Sequence, residues 1–135
     1  MDRTAKTAKH QAPAARLYQR LDEAVIVPFE DCSSADFSPS PTDCHHNVNR
    51  WVEANPNHRA VRGWLSFGPV LQVLRFNAHS VVCDENRTLF DLTPSDASQQ
   101  HPFIPYEGME EDFAELVKKD KLVYVEHIVP AGGLR

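Results

Sequence analysis

The sequence predicts an α+β domain, in which an antiparallel sheet of about five strands carries a cysteine-bearing helix on one face. Apolar residues recur at helical spacing in three segments, 13–23, 43–54 and 110–119. Short runs of alternating or β-branched residues, broken by turn residues, fill 59–92 and 122–128. Helices that lie outside a run of neighbouring strands are typical of the α+β class.

Length and composition narrow the class of protein and its partners. The chain has 135 residues, 41% apolar and 24% charged, which fits one soluble domain with its own core. A net charge of −5 argues against nucleic acid or an anionic membrane as a partner, because either needs a basic face. No apolar run reaches the roughly 18 residues of a membrane span, and no secretory signal is recognisable. We expect no cofactor and a small-molecule or peptide substrate; the oligomeric state stays open.

The cysteines bear on the cellular compartment. Cys32, Cys44 and Cys83 are odd in number and lack the C-x-x-C spacing of zinc ribbons and redox motifs. Reduced thiols in a bacterial-type cytosol are the simplest interpretation. We therefore expect a cytoplasmic protein without disulfides.

Polar segments are expected to flank a single domain that spans 13–130. Residues 1–12 have no apolar period, and 131–135 follow the last strand, so both are expected to be mobile tails. Within the domain, Pro13 can begin the first helix. A short strand at 25–29 is expected at a sheet edge, because it contains a proline.

A loop rich in Ser and Pro leads into the helix around which the chain is organised, expected at 43–54. Thr42 or Asp43 can cap it, because either side chain can accept from the free amides of the first turn. Cys44 then lies in that turn, where the positive end of the helix dipole lowers a thiol pKa. The sequence therefore indicates a candidate cysteine nucleophile. The buried stripe of this helix is expected to comprise Val48, Trp51 and Val52.

After this helix the chain is expected to run back and forth in strands. A turn at Gly68-Pro69 separates the first two strands, and a polar loop over 95–105 precedes the last helix. The predicted strands are 59–67, 70–76, 78–83, 89–92 and 122–128.

A histidine and an aspartate downstream are suited to activate the cysteine, because a nucleophilic thiol needs a base and the base needs an orienting group. A three-residue loop, 85–87, pairs Asp84 with Thr88 and places His79 and Asp91 on one face of the hairpin. A slip of one residue moves Asp91 to the other face. The three-residue loop requires one left-handed residue, which we expect to be Asn86.

A cysteine at a helix start, a strand reading Ala-His-Ser-Val-Val and a segment reading Phe-Asp-Leu-Thr-Pro resemble the transglutaminase-like and papain-like cysteine enzymes. The resemblance is closest to small bacterial proteins with Cys-His-x-Asn-Val, Gly-Trp, Ala-His and Asp-x-Thr-Pro motifs, and it covers about 43–94. It implies that Cys44 is the nucleophile, His79 the base and Asp91 the orienting group. No substrate class follows from it.

Each of these residues also has a simpler interpretation. Cys44 is small and apolar enough to be a buried structural residue. His79 alone is typical of a structural histidine, and Asp91 alone can end a strand and bond the following turn. A metal site would combine Cys44 with either His45 or His46, because adjacent helical residues diverge by about 100°. We assign no metal ligand.

Two further residues are candidates for substrate binding. Asn47 lies one turn after Cys44 and can orient either a substrate amide or the helix end. Trp64 can flank a cleft or fill the core.

The predicted function is a thiol-dependent acyl hydrolase or acyl transferase acting on an amide or ester. The alternatives are a non-catalytic binding domain with a buried Cys44, and a metal-binding protein.

Overall fold

A computed structural model of the protein describes residues 13–95, 100–119 and 124–130. The tails predicted at 1–12 and 131–135 lie outside these ranges. Within them the α+β class is confirmed, because helices flank a five-stranded antiparallel sheet.

The helices are α1 (13–19), α2 (Cys44–Ala54) and α3 (Glu110–Lys119), and a short 3₁₀ turn at Leu21–Glu23 follows α1. The strands are β1 (Arg59–Val70), β2 (Val73–Cys83), β3 (Leu89–Phe90), β4 (Phe103–Pro105) and β5 (Tyr124–Ile128).

The long strand β2 is the centre of the sheet. Its strand order is β3-β2-β1-β4, and β5 pairs with β2 on the edge that β3 also uses. β5 covers β2 from Val73 to Asn77, and β3 pairs with Val82 and Cys83. His79 therefore lies on β2 between these two pairings, opposite Gly63 of β1.

The first hairpin turns later than predicted. Gly68-Pro69 lies inside β1, where the register with β2 shifts between Phe67 and Val70. The turn is formed by Leu71 and Gln72, whose φ angles of 50° and 67° both lie in the left-handed region. Two left-handed residues are what a type I′ hairpin turn needs, although neither residue type signals it. The predicted strand at 70–76 is therefore wrong at its start, and its remainder, 73–76, is continuous with the predicted strand at 78–83 in β2.

The polar loop predicted at 95–105 contains a buried strand. In β4, Phe103 pairs with Leu65 and Ile104 with Trp64, and both apolar side chains are fully buried. The strand predicted at 25–29 is instead an extended segment that makes isolated bridges, Val25 to Phe103 and Phe29 to Asp91. Both predictions were wrong because pairing with distant segments, rather than local pattern, determines these conformations.

Helix α2 packs against the hairpin that carries the predicted acid. Val48 is fully buried in a cluster with Val82, Phe90 and Leu92. Trp51 and Val52, the other members of the predicted stripe, are partly buried at its edge. This packing holds the start of α2 close to β2 and β3.

Candidate active site

Cys44 is the first residue of α2, as predicted, and it is half-buried. The N-cap position is Asp43, but its side chain makes no capping hydrogen bond. The predicted side-chain cap is therefore wrong for Asp43. The first helical hydrogen bond runs from the Asn47 N–H to the Asp43 carbonyl, over 3.0 Å. The thiol thus sits at the end of the helix where the backbone amides point outward.

Asn47 fixes the segment in front of the cysteine. Its amide oxygen accepts from the Ser40 N–H at 3.0 Å, and its amide nitrogen donates to the Ser40 carbonyl at 2.7 Å. The same nitrogen donates to Thr93 Oγ1 at 3.1 Å. Asn47 is 3% exposed, so its amide is used inside the protein. In this structure it positions Cys44 relative to the Asp91 segment and does not face a substrate.

The second hairpin has the predicted register. Val82 pairs with Phe90 and Cys83 with Leu89, and the Asp84 N–H donates to the Thr88 carbonyl at 3.0 Å. The left-handed residue is Arg87, with φ 65°, rather than the predicted Asn86. The loop length is therefore as predicted, although the residue that takes the strained conformation is different.

This register brings the predicted base and acid together. His79 Nε2 lies 2.6 Å from Asp91 Oδ2, and both residues are buried. The other carboxylate oxygen, Oδ1, accepts from the Thr93 N–H at 3.0 Å. The Asp91 main chain is held by the Pro28 carbonyl and the Glu30 N–H, at 2.8 and 2.9 Å. The carboxylate is thus oriented by backbone, and one oxygen remains for His79.

The electrostatics of Cys44 and His79 favour an ion pair. Burial alone would raise the thiol pKa, but hydrogen bonds with His45 and His79 lower the pKa of Cys44 to about 6. Burial opposes the charge on His79, whereas its bonds with Asp91 and Cys44 raise its pKa to about 9. Because Asp91 occupies Nε2, Nδ1 is the nitrogen of His79 that is left for the thiol. Thiolate and imidazolium therefore coexist between about pH 6 and pH 9.

The other cysteines lack this environment. All three thiols are free. Burial, followed by the charges of Glu30 and Asp31, raises the pKa of Cys32 to about 11. Cys83 is buried at the end of β2. Only the thiolate is a strong nucleophile, so we expect Cys44 to be the most reactive of the three.

A second imidazole, from His45, also contacts the thiol, and sequence reasoning considered it only as a metal ligand. Its Nδ1 lies 2.6 Å from Ser80 Oγ, which in turn accepts from Arg62 Nη1 at 2.8 Å. Arg62 Nε donates to Glu110 at 2.8 Å, and Nη2 bonds Asn49. No sequence spacing signals this chain of contacts, because it depends on how α2 lies across the sheet. In the described part of the chain, no cluster of three or more Cys, His, Asp or Glu is suited to a metal ion.

His45 lines a cavity, and Trp64 is not part of its lining. Trp64 is 2% exposed and packs in the core, 5.7 Å from the Phe113 ring, so it has no surface for a substrate in this structure. The cavity has a volume of about 210 Å³. Its lining consists of His45, Asn49, Arg62, Phe113, Ala114 and Val117.

Comparison with protein-family models, curated proteins and solved structures gives no match. The resemblance of 43–94 to transglutaminase-like and papain-like enzymes therefore stays a prediction. None of the helices among the described residues is long and apolar enough to span a bilayer.

Proposed function

We propose that the protein is a thiol-dependent acyl hydrolase or acyl transferase that acts on an amide or ester. The observation that supports this most is the 2.6 Å contact between His79 and Asp91 beside a cysteine whose pKa is lowered to about 6. A nucleophile, a base and an orienting acid in contact are the requirement for acyl transfer through a covalent intermediate. A purely structural Cys44 needs neither imidazole.

The chemistry follows from the protonation states. The Cys44 thiolate forms a C–S bond to the substrate carbonyl carbon, and the C=O electron pair moves to oxygen. When the intermediate collapses, the carbonyl reforms and the leaving amine or alcohol takes the Nδ1 proton of His79. His79 then accepts a proton from water or from an acceptor nucleophile, which attacks the thioester and releases the Cys44 thiolate. Asp91 retains its charge and stabilises the imidazolium at the first and last steps.

The cavity beside His45 suits the substrate's acyl group. Its wall is apolar where α3 contributes Phe113, Ala114 and Val117. Its cation, Arg62, is already paired with Glu110 and bonded to Ser80, so it offers little charge to an anionic group. We infer that the preferred acyl group is an uncharged, apolar chain short enough to fit inside this cavity.

Acylation by an activated ester tests this function. Incubation with p-nitrophenyl acetate should add one acetyl group to Cys44, detected by peptide mass spectrometry, with a burst of nitrophenol. Cys44→Ser should lose the burst, while Cys32→Ser should keep it because Cys32 lies outside the site. A folded wild-type protein whose Cys44 is neither acylated by the ester nor alkylated by iodoacetamide would instead support a binding domain with an inert thiol.

A further inference from the structure

We propose that His45 is a second catalytic histidine, whose Nε2–H stabilises the oxyanion formed when a substrate carbonyl adds to Cys44. The inference rests on the proposed acyl chemistry. It arises from the hydrogen-bond chain that joins His45 to Ser80 and Arg62, which favours one position of the ring proton. His79 remains the acid and base, so the two imidazoles have separate tasks.

The chemistry of Arg62 favours one tautomer of His45. A guanidinium donates hydrogen bonds and accepts none, so Ser80 Oγ must accept from Arg62 Nη1. The Ser80 hydroxyl hydrogen is then free to donate, and His45 Nδ1, at 2.6 Å, can accept it. Ser80 is fully buried, so bulk water does not compete for that hydrogen. An Nδ1 that accepts leaves the ring proton on Nε2.

The ring is also held in place. Arg62 is anchored by Glu110 and Asn49, and its side chain is only 12% exposed. The Phe113 ring meets the His45 ring edge-on, with centroids 5.8 Å apart. A donor fixed before the reaction stabilises developing charge without having to reorganise, which is the basis of an oxyanion hole.

The position of His45 matches the place where the charge develops. His45 follows Cys44 at the start of α2 and hydrogen-bonds with its thiol, and because Nδ1 is bonded to Ser80, Nε2 is the nitrogen left for that contact. The carbonyl oxygen of a substrate bonded to that sulfur would therefore lie within reach of His45 Nε2. The main-chain N–H of Cys44, at the first position of α2, is directed outward and supplies a second donor. The His45 proton stays on nitrogen throughout, and the electron pair returns from oxygen to carbon when the leaving group departs.

Two reactions of the same thiol distinguish oxyanion stabilisation by His45 from an effect of His45 on the ionisation of Cys44. Iodoacetamide alkylates Cys44 by displacing iodide, and no oxyanion forms. p-Nitrophenyl acetate acylates it through a tetrahedral oxyanion. Both rate constants are taken at pH 8 and divided by the fraction of thiolate, which the pH profile of alkylation gives for each variant. His45→Ala should reduce acylation by about 10²–10³-fold, the effect of removing one oxyanion donor, and alkylation by less than about threefold.

The matched variants locate the effect. His46→Ala, at the neighbouring exposed position of α2, should change neither rate. His45→Gln should recover part of the acylation rate, because its amide N–H can donate. Ser80→Ala should reduce acylation by about tenfold and leave alkylation unchanged, since the ring keeps its place but loses the partner that selects its tautomer. Circular dichroism and thermal unfolding establish that each variant is folded.

Three results would overturn the role of His45. They are a normal acylation rate in folded His45→Ala, an equal loss of acylation and alkylation, and an equal loss in His46→Ala. Failure of the proposed function has a different signature. In that case wild-type Cys44 reacts with iodoacetamide but is not acylated by the ester, and no His45 variant changes either result.

Discussion

His79 Nε2 lies 2.6 Å from Asp91 Oδ2 because the hairpin between them closes with a three-residue loop. The contact is as short as a charge-assisted hydrogen bond, and it is buried on both sides. The Asp91 carboxylate occupies Nε2 of His79, which leaves Nδ1 for Cys44. The base is thereby oriented by an acid whose own position is determined by main-chain hydrogen bonds.

Asp91→Asn should reduce the rate of acylation without abolishing it. Asparagine replaces one of the two carboxylate oxygens with an NH2 group, which cannot accept a hydrogen bond, so the bond from either the Thr93 N–H or His79 Nε2 is lost. Loss of a neighbouring opposite charge lowers a histidine pKa by about 1–3 units. Acylation at pH 8 should fall by about 10–100-fold, less than in Cys44→Ser. The exposed Asp36→Asn is the control, and an unchanged rate in Asp91→Asn would contradict the orienting role.

The pH dependence of acyl transfer should be bell-shaped. Activity needs the thiolate, whose pKa of about 6 sets the acid limb, so the rate rises as Cys44 loses its proton. It also needs the imidazolium, whose pKa of about 9 sets the basic limb, so the rate falls as His79 loses its proton. The kcat/KM for hydrolysis of an ester with an unactivated alcohol, followed between pH 4.5 and 10.5, measures both limbs because it reports the free enzyme. A rate that simply follows a free thiol, with one midpoint of about 8.5, would be inconsistent with the ion pair.

Removing His79 should move the ionisation of the thiol itself. In His79→Ala the hydrogen bond and the charge that stabilise the thiolate are gone, while burial still opposes it. The midpoint of iodoacetamide alkylation should therefore rise from about 6 towards the free thiol value of about 8.5. Peptide mass spectrometry follows the labelling of Cys44 at each pH, with His46→Ala as the control. An unchanged midpoint would mean that His79 does not stabilise the thiolate.

The parts of the site that local sequence determines were predictable. The position of Cys44 in the first turn of α2 follows from a loop, a polar flank and an apolar stripe. The contact of His79 with Asp91 follows from one loop length, since strand alternation fixes the face of every later residue. These features need no information about distant segments.

The remainder depends on tertiary contacts that no local pattern encodes. β4 has only three residues, and its pairing with β1 rather than its composition makes it a strand. The contact of His45 with Ser80 depends on the rotation of α2 over the sheet. Asn47 and Trp64 were candidates for substrate contacts, but the loop before α2 and the core occupy them. Burial of a polar or aromatic side chain is decided by such packing.

Gly63 should be intolerant of even a methyl group. A Cβ there would lie 2.6 Å from Phe103 Cζ and would also collide with the Ile104 carbonyl. The backbone cannot yield without disturbing the pairing of β1 with β4, so Gly63→Ala should lower the free energy of unfolding by about 1–3 kcal/mol. Urea unfolding measures the loss. Gly108→Ala is the matched control, because its Cβ would meet only the side chain of Tyr106, and equal losses would contradict the backbone clash.

Filling the cavity beside His45 should change the choice of acyl group while preserving the chemistry. Ala114 lines the cavity from the exposed side of α3, so Ala114→Phe adds a ring there without enlarging the core. A series of p-nitrophenyl esters from acetyl to hexanoyl then reports the space available. In wild type, kcat/KM should increase with chain length, because each buried methylene contributes about 0.8 kcal/mol, or roughly fourfold. In Ala114→Phe the longer esters should lose that gain and acetyl should be unaffected.

Ala54→Phe, on the exposed end of α2, is the control and should behave as wild type. If Ala114→Phe had the same chain-length profile as wild type, the acyl group would bind elsewhere.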